Sequence, residues 1–472
     1  MVFQFIKTVG TLSSLVALAQ AGPSYSAPYF LPSIDSNANL TTVFSATGAP
    51  GIFNSSTTPD NIYGTYNWCN MPHARKTEYV KPGNGWSLQY VEVVQRHHKR
   101  TPYSSNLWPV ENGNWTCPGN HLAMGLAPTS AAQPNAPVSW NVYQDSNNPF
   151  TTPTGATSGF VGSDCQFPQI TDQGLTDSFT HGSDLAGVYR DMLGFLPKQL
   201  DPTKHTFRVT NNVITSEVLG GLVMGLFPTT PASGIAAAVQ NSASDSLEPT
   251  ISCPYANTIL ATYLSSSNST WTNHLQKASS LYSRLDAVSG VDPNNGGWHQ
   301  SFDHYYDNLS AKLCHGKPMG CKVGDPSTCV NSADAETVFR IGQYEYFYKF
   351  RSAPQSATYS TLLIAAFLQE LRSHLQAGVQ GGYRHNVAHD GSMSLLLGAF
   401  QVDKMVWPGM GSELIFELYN NKYDRQAIRI LWGGKPLVTS GPLGTIDMVD
   451  VRRFYQYLSD QLPTNLVTAC AN

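Results

Sequence analysis

The chain has 472 residues, 13% of them charged, and a formal net charge of −4. That length is too great for one small core and suits a large domain with a second lobe. The charge balance provides no global basic field for nucleic acid, so any attraction for phosphate has to be local.

Residues 1–21 combine a lysine, an apolar run from Thr8 to Ala19 and the small-residue end Ala19-Gln20-Ala21. This is the pattern of a secretory signal peptide. The run is too short and polar for an anchor, and no later stretch is apolar enough to span a bilayer. The expectation is a secreted, extracellular protein with no membrane partner. Secretion makes the eight cysteines disulfide candidates rather than zinc ligands. Cys314, Cys321 and Cys329 are expected to staple one loop region, and Cys69 to pin its own segment. Sequons at Asn39, Asn54, Asn114, Asn268 and Asn308 fit a glycoprotein. Residues 22–60 are rich in Ser, Thr, Pro, Asn and Gly without sustained period, and read as an extended arm over the surface.

Leu88 to Val94 is apolar and β-branched, which predicts a buried strand. It runs straight into Arg96-His97-His98-Lys99-Arg100-Thr101-Pro102. A strand that ends so delivers cations and histidines to the carboxyl edge of a sheet, where open α/β sheets bind ligands. Clustered guanidinium groups match the oxygens of phosphate. Residues 103–165 are irregular and, following the cluster directly, are expected to rim a pocket.

Leu175, Phe179, Gly182, Ala186, Tyr189 and Leu193 recur at helical spacing within 169–197. Residues 206–210 read as a short strand carrying Arg208. Residues 229–355 hold three helical segments. Leu275, Ala278, Tyr282, Leu285 and Val288 form one stripe and Val338, Ile341, Glu345 and Tyr348 another, with Asp334 able to cap the latter helix. His299 and His304 read as packing or rim residues. A helix over 358–377 stops at Gly378. The strand 383–388 then runs into His389-Asp390-Gly391, followed by a helix over 394–400. His385 and His389 lie too far apart on a strand to share an ion, so no metal site is expected. Residues 414–419 and 427–432 read as antiparallel closing strands, and 449–462 as the last helix.

Several of these stretches together resemble the histidine acid phosphatases. Residues 96–102 resemble their Arg-His-Gly-x-Arg-x-Pro signature, with His98 in the glycine place. Gln169 to Gly174 resembles their Leu-Thr-x-x-Gly element. Phe207 to Pro228 resembles the segment that opens with a phosphate-binding arginine, which puts Arg208 on that arginine and Ile214 on a second, structural one. His389-Asp390 resembles their second signature. The likeness spans roughly residues 87–460, although Thr439 to Val449 lacks a cysteine often found there. It implies an α/β fold, a central mixed sheet flanked by helices (phosphoglycerate mutase-like), with an inserted, mainly helical cap lobe. The implied boundaries are 61–228 and 356–472 for the sheet domain and 229–355 for the cap.

The resemblance further implies that His97 is a nucleophile forming a phosphohistidine and that Asp390 protonates the leaving group. Arg96, Arg100, Arg208 and His389 would hold the phosphoryl group, with no metal and no cofactor. The expected partner is a small phosphorylated substrate. The leading reading is a secreted acid phosphatase, with phytate-degrading enzymes as a sub-case. A non-hydrolytic enzyme or transferase, suggested by His98, and a phosphate-binding protein are the alternatives. His98 either faces the pocket and shapes it or turns away and packs.

Overall fold

A computed structural model of the chain describes residues 25–33, 36–53, 58–110, 115–117, 123–125, 137–139, 165–229 and 235–471. The expected signal peptide, the sequons at Asn54 and Asn114 and most of the expected pocket rim over 103–165 lie outside the described residues.

The sheet is built on β1 (Trp86–Arg96), β2 (His205–Val209), β3 (Gly382–Ala388), β4 (Glu413–Asn421) and β5 (Gln426–Trp432), in the spatial order β5–β4–β1–β3–β2. β1, β3 and β2 are parallel, β4 runs antiparallel to β1, and β5 runs antiparallel to β4. Pairs at Ala237–Ala238 and Lys435–Pro436 extend the two edges. Tyr90 to Arg96 are all buried, as a central strand covered on both faces requires.

The two faces sort by the strand period of two. Val91, Val93 and Ile415 pack with α1 (Asp172–Ala186) and α2 (Val213–Leu226). Tyr90, Val94, Leu414 and Phe416 pack with residues of α5 (Ser356–Ala377), α6 (Asp390–Ala399) and α7 (Val451–Gln461). Gly182 is there because α1 and α2 nearly touch: a Cβ at this position would stand 2.0 Å from the Leu222 carbonyl oxygen.

A second core gathers Trp68, Leu281, Leu285, Tyr305, Tyr306, Phe339 and Trp407 around α3 (Asp303–Cys314) and α4 (Ser332–Phe347). Both helices lie within the stretch expected to form the cap. In the same stretch, the helix Pro254–Tyr263 packs against α5, and Cys253 is bonded to Cys470. The expected stripe over 275–288 is split into Ser269–Lys277 and Ser279–Ser289. Asn331, not Asp334, caps α4, its side chain accepting from the Asp334 amide.

Other local expectations also shift. Cys314 bonds Cys69 across 245 residues, tying the segment before β1 to the cap, while Cys321 and Cys329 close a small hairpin. Cys117 pairs with Cys165. The arm is extended over 25–33, where the Phe30 amide donates to Gln401 and its carbonyl accepts from Arg351, but it then forms a short helix at Leu40–Ser45. Asn308 is fully buried and its amide donates to the Asn106 carbonyl. No glycan fits on that side chain in the folded protein. Among the described residues no helix is long and apolar enough to cross a membrane.

Candidate active site

The parallel register decides where the site lies. Arg96 of β1 stands beside Ala388 of β3, and Val387 beside Val209 of β2. The residues that follow each strand therefore leave the sheet at one edge: His97 to Arg100, His389 and Asp390, and Thr210. The loop after β1 is pinned by its backbone. The His97 amide donates to the Ala388 carbonyl at 3.0 Å, the Gly411 amide to the His97 carbonyl at 3.0 Å, and the Thr101 amide to the Gln169 carbonyl at 2.9 Å. A Cβ on Gly174, at the start of α1, would stand 2.0 Å from the Lys99 carbonyl oxygen. The glycine of the Thr171 to Gly174 element is thus a matter of close approach to this loop.

His97 is buried, and its Nδ1 lies 2.9 Å from the His98 carbonyl oxygen. A carbonyl can only accept, so Nδ1 carries the proton and Nε2 keeps its lone pair. Burial drives the pKa of His97 well below the ordinary value, and the cations Arg96 and Arg100 push it the same way. The ring of His389 stands 5.5 Å from that of His97. His389 Nε2 meets the Thr210 hydroxyl at 2.9 Å, and Glu248 lies 3.7 Å from the same nitrogen. Burial lowers the pKa of His389 to about 4 against the opposing pull of Asp390.

Asp390 is the first residue of α6, at the positive end of the helix dipole. Its Oδ2 accepts from Trp407 Nε1 at 2.6 Å and from the Tyr346 hydroxyl at 3.1 Å, with Arg96 Nη2 at 3.7 Å. Burial opposes ionisation, but Arg96, the Trp407 donor, Arg100 and His389 outweigh it and hold the carboxyl at about 2.

Arg96 lies over the Trp68 ring and donates to the Pro408 carbonyl. Arg100 is buried and forked onto Asp307, with Nη2 to Oδ1 at 3.0 Å and Nη1 to Oδ2 at 3.4 Å. Asp307 also accepts from Asn106 Nδ2 and the Tyr103 amide. Lys99 turns away to Asp177 at 2.9 Å.

Two expected site residues are not brought to this clamp. Arg208 extends onto the α5 face, where Nη2 meets Asp245 at 2.6 Å and Nη1 meets Glu370 at 2.9 Å. Two carboxylates and Gln240 Oε1 at 2.7 Å occupy the guanidinium, so the residue presented to His389 at the end of β2 is Thr210. Ile214, in the first turn of α2, is buried and apolar. The arginines that stand beside His97 are therefore Arg96 and Arg100. His98 is the second case: its ring is fully buried behind the loop, against Gln95, His181 and Gly411.

Asp307, Thr210, Trp407 and Tyr346 were not singled out from the sequence. Their sequence surroundings carry no charge cluster or motif, and only the packing of the cap over the sheet edge brings them in. His299 meets Asp286 at 3.1 Å, and His304 bonds Asn106 while stacking on Trp298, so both serve packing. His385 bonds Tyr383 and Gln95, on a different side from His389.

No family model matches the chain. Counting factor 60 of Dictyostelium discoideum is 23% identical over 402 residues, covering 82% of this chain and 89% of that protein. Among solved structures, the Hafnia alvei phytase in complex with tartrate matches with a TM-score of 0.52 and 12% identity, over 82% of this chain and 99% of that one. The phytase from Citrobacter braakii gives 0.52 and 12%, over 81% and 99%. At such identities the likeness is one of fold, and in fold the chain is a mixed α/β protein of the phytase and histidine acid phosphatase architecture.

Proposed function

We propose that this protein is an exported acid phosphatase that hydrolyses phosphate monoesters through a phosphohistidine on His97. The observation that carries the reading is the state of His97, a neutral imidazole with Nδ1 tied to a carbonyl and Nε2 free, set between Arg96, Arg100 and His389. In the first step Nε2 attacks phosphorus in line, the ester P–O bond breaks, and Asp390 gives its proton to the departing oxygen. In the second, Asp390 takes a proton from water as that oxygen attacks phosphorus, and the P–N bond breaks. Arg96 and Arg100 neutralise the equatorial oxygens, and the His389 ring offers them a hydrogen bond. Splitting the displacement in two lowers each barrier.

Asp390 is ionised in the free site because its carboxyl is held at about 2. The proton it donates therefore arrives with the substrate, as a monoanionic ester whose second ionisation lies near about 6. Activity should fall as pH rises through that value, which is acid phosphatase behaviour. The four disulfides and the leader pattern of residues 1–21 support export.

One observation favours a second reading, a phosphate-ester-binding protein with little turnover: Asp307 occupies Arg100, and Arg208 is diverted. His98 no longer favours a non-hydrolytic enzyme, since it lies behind the loop. Phosphate release from a panel of monoesters between pH 3 and 7, with alkaline quench after labelled substrate, separates the two. Turnover with an alkali-stable, acid-labile label on the protein supports the phosphatase. Binding without release or label sinks it.

A further inference from the structure

We propose that the cleft selects phosphate esters of uncharged or cationic alcohols and turns away polyanionic esters, with Asp303 as the specificity-determining side chain. This rests on the phosphatase reading and names its substrate class.

Asp303 and Asp307 stand four residues apart on α3, and so on one face of that helix. Asp307 grips Arg100, which fixes that face as the one looking into the site. Asp303 is exposed to solvent, yet so much protein surrounds its carboxyl that burial lifts its pKa to about 6, with Asp307, Asp390 and Glu345 raising it and Lys349 opposing. The exposed Asp303 carboxyl thus lies at the open side of the site, on the helix face that carries Asp307. Glu248 brings another carboxylate to 3.7 Å from His389.

Set against these acids, the cations are few. Arg96 and Arg100 form the clamp. Lys349, resting on the rings of Phe350 and Tyr346, faces Asp303. The remaining basic groups nearby are committed: Arg208 to Asp245 and Glu370, and Lys99 to Asp177, while Lys312 lies over Trp108 at 3.7 Å. Residues 111–164, which follow the first signature, contain no lysine or arginine, but include Glu111, Asp145 and Asp164. Wherever they lie, they bring no permanent positive charge. Among the described residues, three cations, Arg96, Arg100 and Lys349, thus face four carboxyls, Asp303, Asp307, Asp390 and Glu248. One phosphoryl group is matched by the clamp. Further phosphates on the same alcohol would meet acids without counter-charges, whereas an ammonium group would find Asp303.

The test compares kcat/KM for phosphocholine and for inositol hexakisphosphate at pH 5 and pH 7, in the wild type, D303N and, as a second variant, D303S. Phosphocholine should lead by at least roughly tenfold in the wild type, since like charges in a cleft are strongly disfavoured. The lead should grow from pH 5 to pH 7 as Asp303 ionises, and should shrink roughly three- to tenfold at pH 7 in either variant. An equal or reversed order in the wild type, or a ratio unmoved by both variants, overturns the proposal. If no ester releases phosphate, the phosphatase reading fails by itself. Calorimetric titration with the same two esters then decides the charge preference, and tighter binding of the hexakisphosphate overturns it.

Discussion

His97 and His98 are neighbours in sequence, both buried, and both held far below the ordinary histidine pKa with burial as the main cause. They nevertheless do opposite things. His97 has one ring nitrogen satisfied and one available among cations. His98 is enclosed in a hydrogen-bonded chain behind the loop. Tyr383 donates to His385 Nδ1 at 2.8 Å, His385 Nε2 donates to Gln95 Oε1 at 2.7 Å, and Gln95 Nε2 donates to His98 Nε2 at 3.0 Å. His181 Nδ1 lies 3.2 Å from the same His98 nitrogen and its Nε2 2.7 Å from Glu413. Since His98 Nε2 accepts, His181 donates from Nδ1, and its Nε2 must accept from a protonated Glu413. Burial raises Glu413 to about 7 and drives His181 well down, in keeping with a neutral pair. Neutrality alone does not make a nucleophile. What counts is a lone pair left unspent and facing the right charges.

Exchanging the two histidines' fates breaks this comparison most directly. H97A should remove turnover by at least ~10³-fold, as loss of a nucleophile does, together with the alkali-stable label. H98G should retain the label and leave the ratio of kcat/KM for small and bulky esters unchanged, while stability falls by about 2 kcal/mol from the cavity and lost hydrogen bonds. A changed ester ratio in H98G would mean that His98 shapes the pocket after all.

The two arginines offer a parallel contrast. R100A should weaken inhibition by phosphate, roughly tenfold or more. R208A should leave that inhibition near its original value but cost about 3 kcal/mol in denaturant unfolding, because Asp245 is fully buried and loses its counter-charge. Weakened phosphate inhibition in a well-folded R208A protein would return Arg208 to the clamp.

The chain behind the loop should also show in the pH dependence of stability. A carboxyl whose folded pKa is raised contributes stability that is full below the unfolded value and is lost as pH rises through the folded one. For Glu413 that window runs from 4.5 to about 7. Melting temperature should therefore decline across it, with Glu413 contributing on the order of 3 kcal/mol. E413Q reproduces the protonated acid, donating to His181 and accepting from the Ala74 amide, and should flatten that part of the decline. An equal slope in E413Q would place the proton elsewhere.

The smallest effect concerns the glycine missing from residue 98. Gly411 has φ +70° and a Cβ there would stand 2.3 Å from His98 Cε1, so the room vacated at one position is required at the other. G411A should cost upwards of about 1 kcal/mol. Part of that cost, the clash, should vanish in the H98G background, giving a coupling of about 0.5–1 kcal/mol in a double-mutant cycle. Strict additivity would dissociate the two positions.

Much of this was legible along the chain. Apolar runs ending in Arg96-His97 and in His389-Asp390 mark strands that deliver charge to an edge, because a central strand cannot bury such groups along its length. Gly378 ends α5 in the left-handed conformation, as expected of a helix stop. Gly174 and Gly182 mark close approaches. The signals were weaker where a residue's partner is distant. Arg208 lies on a strand of suitable length and register, but β2 ends at Val209, and it is the following Thr210 that reaches His389.

By itself, then, the sequence determined the elements, their polarity and the two charged strand ends, since periodicity and local charge are written residue by residue. Only the tertiary structure decided which groups share the site. The parallel register of β1, β3 and β2 joined segments nearly 300 residues apart. Asp245 and Glu370 drew Arg208 onto the α5 face, Asp307 reached Arg100 from the cap, and His181 drew His98 behind the loop. The reason is physical: a buried charge or ring nitrogen goes to whichever partner satisfies it in space, and spacing along the chain carries no record of that partner.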